Sequence, residues 1–377
     1  MASLWIDIGN EGLRGFLALP PAGSGPGLLM LPDVTGVDQA FESLARTYAE
    51  EGYVVVAPDL SPMGRDDGRL LQEIAVAFAC LRTRPECTGS AGVLGFGVGG
   101  RLAWLAAAEL DVQVAVAYAP TGIPAEPSWH DRMTCPVMLH LGEVSGLNGI
   151  RDRLAKAETL RVHVYPGCGT RFYAVSDPAH DKSASLMAYS RTIEALRSAL
   201  GPDYDLSALW EEHTFQEFGA RDAEATMRSM VAEPYVNHIP TMTGGVGHDE
   251  LLRFYRHHFI PRTPADTRLI PISRTVGADR LVDEMLFCFT HDIEMDWMLP
   301  GIAPTGRYVE VPLVAIVRFR GDKLYNEHIY WDQASVLVQV GRLDPEGLPV
   351  AGAETARKLL DESAPSNTLM ARWQRSA

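Results

Sequence analysis

The chain has 377 residues, 33 Lys and Arg against 48 Asp and Glu, and a formal net charge of −15. That balance argues against nucleic acid or an anionic membrane surface as a partner. A hydrophobic share of 46% supplies well-formed cores, and the length suits about two domains. The five cysteines, Cys80, Cys87, Cys135, Cys168 and Cys288, show no metal spacing and fit reduced thiols in a cytoplasmic protein. The N-terminus, Met1-Ala2-Ser3-Leu4-Trp5, lacks the basic and apolar regions of a secretory signal. No apolar run approaches the ~20 residues that span a bilayer.

In chain order, apolar runs rich in β-branched residues alternate with amphipathic helices up to a last helix over 184–200, the pattern of a doubly wound parallel sheet. Within it, Ala91-Gly92-Val93-Leu94 leads into Gly95-Phe96-Gly97-Val98-Gly99-Gly100 and then a small-residue helix. Strand, Gly-x-x-x-Gly turn and helix are the parts of a nucleophile elbow, whose middle residue normally carries the attacking side chain. Here that residue is Gly97, which has no side chain but tolerates positive φ at no steric cost. The boundary near Gly201-Pro202-Asp203-Tyr204 closes this half.

After it the pattern inverts: helices over 206–219 and 222–231, a short strand over 235–239, and a helix over 248–259. Four strand-like stretches follow, over 268–276, 280–297, 308–320 and 323–340. Helices followed by a long curved antiparallel sheet describe an α+β cone. From Asp344 a tail carries one short helix over 353–360.

The first 200 residues resemble the dienelactone hydrolase (carboxymethylenebutenolidase) family. The resemblance rests on Leu28-Leu29-Met30-Leu31-Pro32-Asp33-Val34-Thr35-Gly36, on Glu51-Gly52-Tyr53 through Pro58-Asp59-Leu60, on the elbow, and on Tyr165-Pro166-Gly167-Cys168-Gly169-Thr170-Arg171-Phe172. It places Gly97 at the nucleophile, Ser145 at the acid and Thr170 at the histidine, so all three triad positions lack their functional groups. A nucleophile needs a base, and the base an orienting carboxylate. Asp33, Val34 and Val98 are left as a candidate ligand pocket. Cys168, two residues from Thr170, reads as an ordinary loop or core cysteine.

The second half resembles the SnoaL-like branch of the nuclear-transport-factor-2-like superfamily. It does so through His291-Asp292-Ile293-Glu294-Met295-Asp296-Trp297 and the late strand Gly321-Asp322-Lys323 through Glu327-His328-Ile329-Tyr330-Trp331-Asp332. Strand alternation puts Asn326, His328, Tyr330 and Asp332 on one face, with Tyr325, Glu327, Ile329 and Trp331 on the other. The resemblance implies that the His and Asp of this ending face a pocket, which makes Asp332 the expected acid or base beside His328 and Tyr330. His238, His291 and Asp296 are further candidates. A metal site across His238, His291 and Asp332 is conceivable, but none is assigned, and no cofactor is expected.

The expectation is an α/β-hydrolase domain over 1–201, a SnoaL-like cone over 205–343 and a C-terminal tail over 344–377, forming a cytoplasmic homodimer that acts on a small molecule. Three functions compete. In the first, the cone performs acid–base chemistry on a small cyclic or carbonyl-containing metabolite beside a degenerate hydrolase domain. The second is an ester or lactone hydrolase with a non-standard site, and the third a non-catalytic binding or scaffold protein.

Overall fold

The computed structural model describes residues 2–9, 12–60, 66–123, 132–133, 135–143 and 159–376. Ser145 lies outside them. The chain divides into two compact units, Met1–Tyr204 and Asp205–Ala377.

The first unit is built on an eight-stranded sheet in the order β1-β2-β4-β3-β5-β6-β7-β8. β1 (Ser3–Ile8) and β2 (Leu13–Ala18) run antiparallel to their neighbours. The remaining strands, β3 (Gly25–Leu31), β4 (Val54–Pro58), β5 (Cys87–Phe96), β6 (Ala115–Tyr118), β7 (Val137–Gly142) and β8 (Leu160–Tyr165), are mutually parallel. Every residue of β3 and β4 is buried, as continuous apolar runs must be when helices cover both faces. The covering helices begin at side-chain caps: Asp38 accepts from Phe41 N at 2.8 Å, and Asp181 from Ala184 N at 2.8 Å. Such caps satisfy amide groups that a helix cannot pair internally.

The second unit holds a six-stranded sheet, β10-β9-β14-β13-β12-β11, in which only β9 and β14 are parallel. Its long strands are β9 (Met230–His238), β11 (Arg268–Val276), β12 (Arg280–Thr290), β13 (Tyr308–Arg320) and β14 (Lys323–Trp331); β10 (Thr243–Val246) is short. β13 alternates buried and half-buried residues without a break, so Val311, Leu313, Ala315 and Val317 face one core. β12 stops at Thr290, and β14 stops at Trp331, where the chain turns into the helix Gln333–Gln339. Both strands are shorter than the apolar pattern predicts. The segment expected as a tail belongs to this unit: its helix Glu354–Leu360 buries Ala356 against Leu286 and Cys288.

Two helices change pitch. Leu206–Thr214 continues as a π-helical segment, Phe215–Ala220, and His248–Phe254 continues as another, Tyr255–Phe259. π-segments are rare and occur mostly as single turns, frequently at functional sites. No described helix is long and apolar enough to cross a membrane.

Within the first unit, His140 on β7 is fully buried, with Nδ1 2.8 Å from Tyr165 Oη and Nε2 3.1 Å from Thr192 Oγ1. Burial, reinforced by His163 and Arg191, holds its pKa well below the ordinary value. Because the folded pKa lies below the unfolded one (about 6.5), the stability this group contributes is complete above that pH and lost as pH falls. Denaturant titration of this unit should therefore show stability falling between pH 6.5 and 5, with His140 contributing up to about 1.4 kcal/mol per pH unit. The slope should be visibly shallower in His140→Gln; an unchanged slope would assign the acid sensitivity to other groups.

Candidate functional site

The elbow lies between β5 and the helix Val98–Glu109, and Gly97 sits at its apex with φ 55° and ψ −113°. The turn is crowded: a Cβ on Gly99 would lie 2.2 Å from the carbonyl oxygen of Leu31. A Cβ on Gly97 would lie 2.3 Å from Cγ of Asp33. The Asp33 carboxylate thus fills the space a nucleophile's side chain would use. Its Oδ1 accepts from Val34 N at 2.8 Å and Val98 N at 3.1 Å. These are the amides after the strand β3 loop and after the elbow apex, where an α/β-hydrolase forms its oxyanion hole. Asp33 Oδ2 accepts from Arg171 Nη1 at 2.9 Å, and Arg171 Nε donates to Asp177 at 2.6 Å. Cavities of about 470 and 480 Å³ meet at Asp33. Thr170 is exposed, while Cys168 is buried, its thiol pKa raised by burial and by Asp181 and Glu143.

In the second unit the late strand presents the face opposite to the one expected. Asp332 is exposed and caps the helix Gln333–Gln339, accepting from Ala334 N at 3.0 Å and Ser335 N at 3.3 Å. Tyr330 is exposed, and half-buried His328 stands edge-on to Tyr235 with centroids 5.5 Å apart. The inward side chains are Glu327, Ile329 and Trp331. The division of this strand end into two faces is as expected, and only the inward face implied by the resemblance is reversed; a β-bulge sets which face that is. Arg318 pairs with Asn326 but Phe319 pairs with Leu324, so Tyr325 is an extra residue that reverses the alternation after it. Arg320 lies 3.7 Å above the Tyr325 ring and holds it on the outer side.

The other candidates scatter. His291 is buried and hydrogen-bonded to Thr305 Oγ1 at 3.2 Å, and half-buried Asp296 pairs with His258 Nδ1 at 2.7 Å. Neither lines the cavity of the cone. His238 does, packed 5.0 Å from Trp297, with Nδ1 3.2 Å from the Thr243 carbonyl. Burial lowers its pKa to about 4, although Glu327 acts the other way. His238, His291 and Asp332 are not brought together.

The cavity, about 40 Å³, is walled by apolar and aromatic groups including Phe218, Phe259, Phe287 and Trp297, and its carboxylates are Glu217 and Glu327. Behind them lies His213, whose Nε2 is 3.2 Å from Glu217 Oε1 and 3.1 Å from Glu327 Oε1. All three are buried. Tyr255 Oη reaches Glu327 Oε1 at 3.5 Å. Burial lowers the affinity of His213 for its proton, but the two carboxylates outweigh it and bring its pKa up to about 10. Burial raises the pKa of Glu217, opposed by His213. Burial and both carboxylates push Tyr255 far up, which keeps its hydroxyl a donor. A second cavity of about 440 Å³ shares Trp210, Thr214, Leu269 and Met285 with the first and is rimmed by Glu211, Arg274 and Asp283.

His213, Glu217 and Glu327 are also the grouping of metal-type donors among the described residues. Of the three, Glu327 is the residue to which the sequence shifts the acid–base role if the late strand turns Glu327 and Trp331 inward, as it does here; His213 and Glu217 are not among the sequence candidates. A signal was present: Leu206, Trp210, His213 and Glu217 fall at helical spacing on one stripe, so two ionisable residues share a buried face with Leu and Trp.

An α/β-hydrolase fold and an α+β cone define the two units. The dienelactone hydrolase family model matches residues 13–67 and 61–200, and the SnoaL-like domain model matches residues 212–327. The chain thus joins a domain of the dienelactone hydrolase family to a SnoaL-like domain. The carboxymethylenebutenolidase of Rhodococcus opacus is 29% identical over 205 residues, covering 46% of this chain and 81% of that protein. The carboxymethylenebutenolidase of Pseudomonas sp. (strain P51) is 27% identical over 226 residues, covering 52% and 94%. Among solved structures, dienelactone hydrolase from Anabaena variabilis matches 53% of this chain and 98% of its own, at 19% identity and a TM-score of 0.43.

With Asp33 in its present position there is no room for a side chain at Gly97. Gly97→Ala should cost about 2 kcal/mol or more, from strain at positive φ and from collision with the carboxylate. In a double-mutant cycle with Asp33→Ala, denaturation should show a coupling of about 1 kcal/mol or more, because the second change removes the collision. Additive effects would mean that Asp33 does not occupy this space in solution.

Proposed function

We propose that the protein is an enzyme whose chemistry takes place in the cone of the second unit. It performs acid–base catalysis, of lyase, isomerase or hydrolase type, on a small cyclic or carbonyl-containing molecule. The pairing of a dienelactone hydrolase family domain with a SnoaL-like domain supports, at the coarser level, a hydrolase-type enzyme.

The observation that carries this reading is the pair of buried carboxylates, 3.1 and 3.2 Å from one imidazole nitrogen, facing an otherwise apolar cavity. Three interacting ionisable groups gain and lose protons as a unit. Burial raises the pKa of Glu217 above that of a surface carboxylate, toward the range in which a group both supplies and accepts protons. Tyr255 adds a donor suited to a carbonyl oxygen, and neutral His238 adds a polar contact on the facing wall. A substrate larger than a few atoms requires the inner cavity to widen toward the adjoining chamber at Trp210 and Leu269.

The first unit, on this reading, does not hydrolyse esters by its family's route. Gly97 offers no nucleophile, and Asp33 holds the amides that would stabilise an oxyanion.

The test is a turnover screen over dienelactone, small lactones, enones and cyclic ketones, followed by substitution. Glu327→Gln should lower turnover of any substrate found by about 10²-fold or more. Asp332→Asn should change it little, since Asn caps a helix about as well as Asp. Turnover that survives Glu327→Gln but falls with Asp33→Ala would transfer the activity to the first unit.

A further inference from the structure

We infer that His213, Glu217 and Glu327 form a binding site for one divalent first-row transition ion of the Zn²⁺ or Mn²⁺ type. The inference deepens the reading of the cone as the catalytic pocket and rests on it for the ion's use.

The argument begins behind the histidine. Ser229 Oγ donates its one hydrogen to the Thr226 carbonyl at 2.6 Å, so toward His213 it can only accept. His213 Nδ1, 2.6 Å away, therefore carries a hydrogen and donates it. The opposite nitrogen, Nε2, is turned toward the two carboxylates. It is buried and close to both, yet among the described residues it makes a directed hydrogen bond to none. A bare lone pair at that distance from two carboxylate oxygens is repelled. Without an ion the two carboxylates hold a second proton there; it points along neither acceptor and leaves the cluster one net negative charge inside an apolar wall, and an ion that binds must displace it.

A dication satisfies every group. Neighbouring ligands bound at about 2.0–2.2 Å stand about 2.8–3.6 Å from one another, from octahedral to tetrahedral geometry. The two contacts of Nε2 fall in that range, and all three donor atoms lie within 4.8 Å of one another. The two carboxylates neutralise the charge. Ser229 becomes the outer partner that metal-bound histidines generally have, fixing the ring's orientation. One nitrogen and two oxygens, without sulfur, select a borderline ion over a soft one such as Cu(I) and over all-oxygen Ca²⁺. The open side of such an ion faces the cavity, where water bound to it would ionise closer to neutral pH than free water does. Proton exchange at the cluster would then run through that water.

The experiment uses the full chain. Protein stripped with a chelator is loaded with Zn²⁺ or with Mn²⁺, dialysed and measured for metal by mass spectrometry and for thermal midpoint. We expect about one equivalent retained per chain and a midpoint raised by several degrees, as for any ligand that binds only the folded state. Both effects should disappear in Glu217→Gln and in Glu327→Gln and persist in Asp332→Asn. The Gln variants are compared with wild type in chelator to confirm that they fold. If one does not, the Mn²⁺ resonance spectrum of the wild type decides, nitrogen and carboxylate ligation being expected and a fully hydrated ion overturning the site. Wild-type protein that retains neither ion and shows no shift overturns the inference, as does metal held equally by both Gln variants. If no ion binds but Glu327→Gln abolishes turnover, the acid–base reading stands and only the metal falls. If the ion binds while turnover ignores Glu327→Gln, the site stands and the catalytic reading falls.

Discussion

Three ionisable side chains are kept out of water beneath an apolar wall, and the organisation of the second unit follows from that constraint. Any one of His213, Glu217 and Glu327 left alone in such a place would cost several kcal/mol. They are tolerable together because each carboxylate lies within 3.2 Å of the imidazole between them. The neighbouring contacts keep them there. Trp210 stacks on the His213 ring at 5.6 Å and donates to buried Asp283 at 2.8 Å, which ties this helix to β12. Arg274 pairs with Asp283 from β11, so the rim of the adjoining cavity is braced by a second set of charges.

The first unit obeys a different logic, that of one space claimed by two side chains. A nucleophile at the elbow apex and a carboxylate at Asp33's present position cannot coexist. With glycine at the apex, the carboxylate takes two amides and one guanidinium, and every atom of it is satisfied. The turn survives because glycine meets its backbone demands at no steric cost. The family's architecture and the family's chemistry are therefore separable in this chain.

Much of the fold was legible because it is written in periodicity. Runs such as Val54–Pro58 declare buried parallel strands, and the inversion after Tyr204 to helices followed by long strands declares a cone. Which face of β14 points inward was not legible. One extra residue, Tyr325, reverses which side chains point inward, and nothing in a period-two pattern marks where a bulge falls. Asp332 misled for a related reason: an acid at the end of a strand serves equally as the first cap of a helix. His213 and Glu217 could have been found, since they stand on an apolar stripe. Their convergence with Glu327, more than a hundred positions later, is a property of the folded sheet alone.

The two π-helical segments have a consequence for how such a pocket can arise or be dismantled. Glu217 lies in one of them and Tyr255 in the other. A π-turn holds one more residue than the α-turn it replaces, and each residue of an α-helix advances the chain by about 100°. Deleting one residue from Phe215–Ala220 would restore an ordinary helix and swing the side chains beyond the cut by roughly a quarter-turn. Chain length at two helical turns, as much as side-chain identity, determines whether Glu217 and Tyr255 reach the cavity of this cone.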